Sequence, residues 1–329
     1  MFKGNNVRFI SCVCLTAMLV LFFSGCSQQQ AAIDLYVDAV MLRELDENEK
    51  AIEKLDSSVR LNKRFSLAYS LLGEIYQEIK DYEKSAAAYE SAAALNPWSF
   101  KDYFNLGRVR QIMKKFALAV EAYVRACELQ PSHLEAHFNT AKCYYELKKY
   151  NEALMYSERA ERINPDISQI QSLLGDIYQE QKNYDLAIRS YKRCLEIDSN
   201  DPQIMTSLAV AYLRTGRNMP ARQLLTSVVQ IQPDNNTAYQ YLGYCYLRLE
   251  NVDKAMESYN RAIEINDKDW QAYRGLGVAY MWRALHTEDE NLKVELKGKA
   301  IHQWRLSLDI NPNQPRRERL LELIEKYSG

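Results

Sequence analysis

The chain has 329 residues, of which 47% are hydrophobic and 26% charged, with a formal net charge of -1. Glycine (11) and proline (8) are sparse, which excludes collagen-like and low-complexity disordered classes. The near-zero charge argues against electrostatic capture of nucleic acid, so none is expected as a partner.

The first 26 residues read as an address. Lys3 and Arg8 supply a positive start, Phe9 to Phe23 is an uncharged apolar run, and Ser24-Gly25-Cys26 closes it with small residues. That is the layout of a secretory signal peptide, and the run is short for a membrane span. Phe23-Ser24-Gly25-Cys26 resembles the bacterial lipobox, although Phe23 stands where leucine is usual. The resemblance implies a leader over residues 1–25, lipidation at Cys26, and a mature chain that begins there. Two or more acyl chains hold a protein stably to a bilayer, whereas one does so marginally. Ser27 follows the cysteine in place of aspartate, which by resemblance to enterobacterial lipoproteins implies the outer membrane, facing the periplasm. Residues 26–31 then form a short polar tether, with a reach of at most ~17 Å over 27–31.

From residue 32 the chain repeats itself. Ala39, Gly73, Gly107, Ala141, Gly175, Ala209, Gly243 and Gly277 are spaced by 34 residues, and all eight are Gly or Ala. A parallel series runs Leu42, Tyr76, Arg110, Tyr144, Tyr178, Tyr212, Tyr246 and Tyr280, which explains much of the excess of 23 tyrosines. Proline recurs at Pro97, Pro131, Pro165, Pro233 and Pro312, the last displaced by 11 residues. Small residues let two helices approach closely, tyrosine and leucine at helical spacing fill the space beside them, and proline ends the unit. Each unit is then a pair of antiparallel helices that must stack on its neighbours to bury its apolar faces. Units open at 32, 66, 100, 134, 168, 202, 236 and 270. An 11-residue insertion falls within 283–298 and lengthens both helices of the eighth unit. Residues 315–329 read as a capping helix, with Leu320, Leu321, Leu323 and Ile324 toward the array and Arg316, Arg317, Glu318 and Arg319 toward water.

Blocks such as Leu72-Gly73-Glu74-Ile75-Tyr76 and Ala255-Met256-Glu257-Ser258-Tyr259 resemble the tetratricopeptide repeat (TPR), over nearly the whole chain from Ala32 to Pro312. The resemblance implies an all-α fold, a right-handed α-α superhelix of eight helix-turn-helix repeats over 32–314. It also implies that the first helix of each repeat lines an inner groove holding an extended peptide or a helix. Positions 2, 5, 6, 9 and 12 of a repeat carry that role. They fall on Lys101, Phe104, Asn105, Arg108 and Gln111 in the third repeat, and on Glu135, Phe138, Asn139, Lys142 and Tyr145 in the fourth. An amide side chain suits a peptide backbone and a nearby cation suits a carboxylate. A second aromatic and basic group comprises Tyr241, Tyr244, Arg248 and Arg274.

Catalytic chemistry has no residue set to stand on. His133 and His137 flank Glu135, one position away from the metalloprotease pattern, and no phosphate-cradling or nucleophile-elbow motif is present. Cys127, Cys143, Cys194 and Cys245 are far apart and form no C-x-x-C pair; they read as small apolar residues within helices. The expectation is a non-enzymatic scaffold, without cofactor or metal, that is lipid-anchored in a bacterial cell envelope and assembles other proteins. A peptidoglycan or glycan binder is the alternative, and self-association through the groove stays open.

Overall fold

The computed structural model describes residues 27–328, so the expected leader and Cys26 lie outside the described residues. Among the described residues there are helices and no strands. The chain divides between Ile163 and Asn164 into two compact units, each containing four helix pairs.

The first unit contains α1 (residues 27–44), α2 (Asn48–Leu61), α3 (Ser66–Glu78), α4 (Tyr82–Leu95), α5 (Phe100–Ile112), α6 (Phe116–Leu129), α7 (Leu134–Glu146) and α8 (Tyr150–Ile163). The second contains α9 (Ser168–Glu180), α10 (Tyr184–Ile197), α11 (Pro202–Arg214), α12 (Asn218–Ile231), α13 (Asn236–Arg248), α14 (Val252–Ile265), α15 (Trp270–Leu285), α16 (Glu290–Ile310) and α17 (Arg317–Ser328). Consecutive helices pack on one another within each unit, as in a TPR solenoid. The helices at Ser66, Phe100, Leu134, Ser168, Pro202, Asn236 and Trp270 begin where the 34-residue spacing opens each unit. Residues 27–31, expected as a short polar tether, are helical and part of α1. Gln and Ala are good helix formers, no Pro or Gly interrupts them, and Gln30 Nε2 donates to Asp34 Oδ1 at 2.9 Å one turn on.

The turn within each of the first seven repeats is built on one backbone device. Asp46, Lys80, Lys114, Lys148, Lys182 and Glu250 have φ between 57° and 63°, and Gly216 has 75°. A left-handed residue just past a helix lets the next N–H reach back to an orphan carbonyl. Asp81 N–H donates to Tyr76 O at 2.8 Å, Lys115 to Arg110 O at 2.9 Å and Arg217 to Tyr212 O at 2.8 Å. Side-chain caps open many of the helices, with Asp81, Ser99, Asp201, Asn235, Asn251 and Asp269 each accepting from a first-turn N–H.

Glycine at the eighth position of a repeat is required by sterics. A Cβ at Gly73, Gly107, Gly175 or Gly243 would come within 2.8 Å of the ring of Tyr89, Tyr123, Tyr191 or Tyr259, and at Gly277 within 2.4 Å of Trp304. Each of these aromatics is buried. Where alanine stands instead, at Ala39, Ala141 and Ala209, the residue 16 positions on is Leu55, Ser157 or Leu225. A second device ties each end of certain repeats: Ser58 Oγ donates to Ala32 O at 2.7 Å, Cys194 Sγ to Ser168 O at 3.3 Å and Ser307 Oγ to Trp270 O at 2.8 Å.

At the third, seventh and tenth positions α3 buries Ala68, Leu72 and Ile75, and α9 buries Ile170, Leu174 and Ile177. On α1 the same positions are Asp34, Asp38 and Met41, all exposed. Two carboxylates thus stand where an interior repeat has apolar residues, beside the exposed Val37 and Met41. In the second unit α15 and α16 extend to 16 and 21 residues, with His286 to Asp289 as the exposed turn between them. Leu320 and Ile324 of α17 are buried with Met281 and Trp304, and Leu323 packs partly against them. Leu321, expected on the buried face, is 38% exposed because it lies one residue off the Leu320–Ile324 stripe.

Candidate functional site

The first helices of repeats one to four carry several small polar groupings, one of which includes Tyr123 of α6. Arg43 of α1 bridges Glu74 at 2.7 Å and Glu78 at 2.5 Å, both on α3. Lys101 of α5 also pairs with Glu74. Arg108 Nη2 donates to Gln77 Oε1 at 3.4 Å. Tyr123 donates to Gln111 Oε1 at 2.8 Å, with the Asn139 side chain close to the same phenol.

Of the ten expected groove residues, those other than Gln111 and Glu135 separate into three groups. Phe104 is 8% exposed, its ring 5.5 Å from Phe100, 5.7 Å from Tyr123 and 5.1 Å from His133. It therefore belongs to the packing of the repeat rather than to a contact surface, because the neighbouring turn places aromatic rings around it. Asn105 is similarly buried. Lys101 is exposed but already neutralises Glu74. Arg108, Phe138, Asn139 and Tyr145 are half-buried and Lys142 is exposed. Lys142 lies over the Phe138 ring at 5.5 Å.

Charge distinguishes the third and fourth repeats from the second. At the ninth position Glu74 is matched by Arg43 and Lys101. At the same position Arg108 and Lys142 have no carboxylate partner among the described residues, and Arg108 Nε is buried without a hydrogen-bond partner. Two cations one repeat apart, flanked by the Asn139 amide and the Phe138 ring, can receive carboxylates and a peptide group. The series of ninth positions was visible in the sequence, whereas the pairing that cancels Glu74 and leaves Arg108 and Lys142 over was not.

Other residues singled out by sequence have structural duties. Arg110 donates to Leu118 O at 3.2 Å and pairs with Glu90 at 3.1 Å, replacing the usual aromatic with a polar clasp. His133 Nδ1 caps α7 by accepting from Ala136 N–H, and His137 sits in the core with Nε2 at 2.9 Å from Pro131 O. In the second unit Tyr244 is 44% exposed and Arg248 exposed. Arg274 turns away from that group: it stacks on Trp270 at 5.0 Å and donates to Pro315 O at 3.1 Å, fastening the turn before α17. Asp176 is half-buried and accepts from Tyr191 at 2.7 Å; desolvation pushes its carboxyl above the ordinary range. The cysteines Cys127, Cys143, Cys194 and Cys245 are free and buried.

Three solved structures share the fold. YrrB, described as a TPR protein with an unusual peptide-binding site, aligns with TM-score 0.52 and 24% identity, over 57% of this chain and 96% of that one. A tetratricopeptide repeat protein from Parabacteroides merdae aligns with TM-score 0.55 and 15% identity, over 80% and 99%. The pilF protein of Pseudomonas aeruginosa aligns with TM-score 0.51 and 21% identity, over 63% and 94%. No curated protein matches in sequence. One family model matches residues 27–276, the described helices up to the first turns of α15. By the repeated Gly–Tyr packing, the left-handed turns and this match, the chain belongs to the TPR family of the cilia and flagella-associated protein 70 C-terminal domain.

Proposed function

We propose that the protein is a membrane-tethered interaction scaffold of a bacterial cell envelope, holding an acidic peptide or helix along the first helices of repeats three and four. TPR folds serve as protein-interaction scaffolds, and the sequence carries no recognisable catalytic constellation. The observation that carries the reading is the pair Arg108 and Lys142, left without carboxylate partners beside Asn139 and Phe138. A ligand carboxylate would complete what Arg43 and Lys101 complete for Glu74. Lipidation at Cys26 supplies the tether, and because residue 27 is already helical the array would start close to the bilayer. The lipobox-like segment and Ser27 support placement in the outer membrane, facing the periplasm.

Affinity isolation from solubilised envelopes with the wild type and with an Arg108→Gln, Lys142→Gln, Asn139→Ala variant tests the reading. A partner retained by the wild type and lost by the variant is expected. Tyr244 favours a glycan as the second reading, since exposed aromatic rings stack on sugars. Co-sedimentation with purified cell wall, with no protein retained, would replace the scaffold by that binder.

A further inference from the structure

The second helices of repeats three and four, with the turn before α7, enclose a cleft of about 470 Å³ that is separate from the groupings described above. Tyr156, Arg159 and Ile163 line it from one face of α8, at spacings of three and four residues. Arg159 lies 5.0 Å over the Tyr156 ring, and Arg162 Nε donates only to Glu158 O at 3.2 Å. Neither arginine has a carboxylate partner among the described residues. Glu128, the acid lining the cleft, is held by Arg125 at 2.8 Å.

His137 forms the inner wall and is 4% exposed. Its Nε2–H donates to Pro131 O at 2.9 Å, which leaves Nδ1 as a bare acceptor. That atom is buried and has no hydrogen-bond partner. Burial, with Arg159 adding to it, holds the imidazole pKa below its ordinary value, so the ring stays neutral and Nδ1 stays an acceptor. A buried acceptor without a donor costs free energy that a bound N–H would recover.

The cleft thus asks for three things together: an N–H donor for Nδ1, an anion for the two arginines, and apolar surface for Val124 and Ile163. An acidic residue within a peptide supplies the first two from one backbone unit, and its neighbour supplies the third. We propose that this cleft binds an acidic peptide segment, with its carboxylate between Arg159 and Arg162 and a backbone N–H on His137 Nδ1. An inorganic anion offers only the charge.

The test uses the full chain and a pool of terminally blocked hexapeptides with central Glu beside Leu or Val, against the same pool with Gln. Binding is read by calorimetry and by the ring-nitrogen resonances of His137. The Glu pool should bind saturably and shift the Nδ1 resonance, and the Gln pool should bind at least about tenfold more weakly. An Arg159→Gln, Arg162→Gln variant should lose at least about tenfold in affinity with an unchanged melting curve, since both side chains are exposed. Arg108→Gln with Lys142→Gln should leave this binding intact, which separates it from the groove reading. Equal binding of the two pools, wild-type affinity in the arginine variant, or a Nδ1 shift of the same size with inorganic phosphate alone would each overturn the proposal.

Discussion

Gly107 and Tyr123 act as one packing unit: a Cβ on residue 107 would sit 2.6 Å from Tyr123 Cδ1, so the ring occupies the place of the missing side chain. The same pairing recurs at Gly73 with Tyr89, Gly175 with Tyr191 and Gly243 with Tyr259. Gly107→Ala should therefore destabilise the first unit by about 1–3 kcal/mol through overpacking. Tyr123→Leu alone loses buried area, but the double variant reproduces the Ala209 and Leu225 combination and should be less destabilised than the sum of the singles. Urea denaturation of the four proteins in a double-mutant cycle checks this; strict additivity would mean that the contact is not rigid.

The left-handed turns have a different signature. Gly216 has φ 75°, and a Cβ there would meet no heavy atom within 4 Å, so Gly216→Ala strains only the backbone and should cost about 1 kcal/mol. Lys114, with φ 57° and an exposed side chain, should tolerate Lys114→Gly with a gain of a few tenths to about 1 kcal/mol. Thermal unfolding followed by circular dichroism measures both, and a loss on Lys114→Gly would show that its side chain contributes more than its backbone costs.

Burial pushes the thiols of Cys143 and Cys245 up to about 12, and that of Cys194 to about 11. At pH 8 the native protein should leave all three unlabelled by iodoacetamide, because thiolate is the reactive species. Mass spectrometry after labelling in buffer and in urea reads the difference. Raised folded-state pKa values also set a sign. The stability they contribute is complete below the unfolded value near 9, and it declines as pH rises toward 11–12. Midpoints that stay constant between pH 9 and 11 would contradict the assignment.

The polar end of the array predicts an association state. Asp34→Ala with Asp38→Leu gives α1 the residue types that α3 buries at the same positions. The variant should self-associate in sedimentation velocity, since Val37 and Met41 already expose apolar surface there. A monomer at all concentrations would mean that the two carboxylates are not what keeps the end free.

The proposed anchor has its own measurement. Cys26→Ala should abolish incorporation of labelled palmitate and leave an unprocessed precursor, with the repeats still folded. Palmitate retained by the variant would remove Cys26 as the attachment point.

The sequence by itself determined the repeat and its register. Small residues every 34 positions, tyrosine three positions on and a proline closing many units follow from helix pairing that any one unit must satisfy locally, so they are legible without coordinates. The lengthened eighth pair and the helix after it were readable for the same reason. What only tertiary structure decided is which polar side chains neutralise one another inside the protein. Arg43 and Lys101 are a repeat apart from Glu74 in sequence and meet it only when helices stack, which leaves Arg108 and Lys142 over. Phe104 and Phe138 hold the same position in successive repeats, yet one is buried because the rings of His133 and Tyr123 arrive beside it. Position within a repeat is a local property, whereas burial and ion pairing depend on the neighbouring repeat, and periodicity carries no information about that.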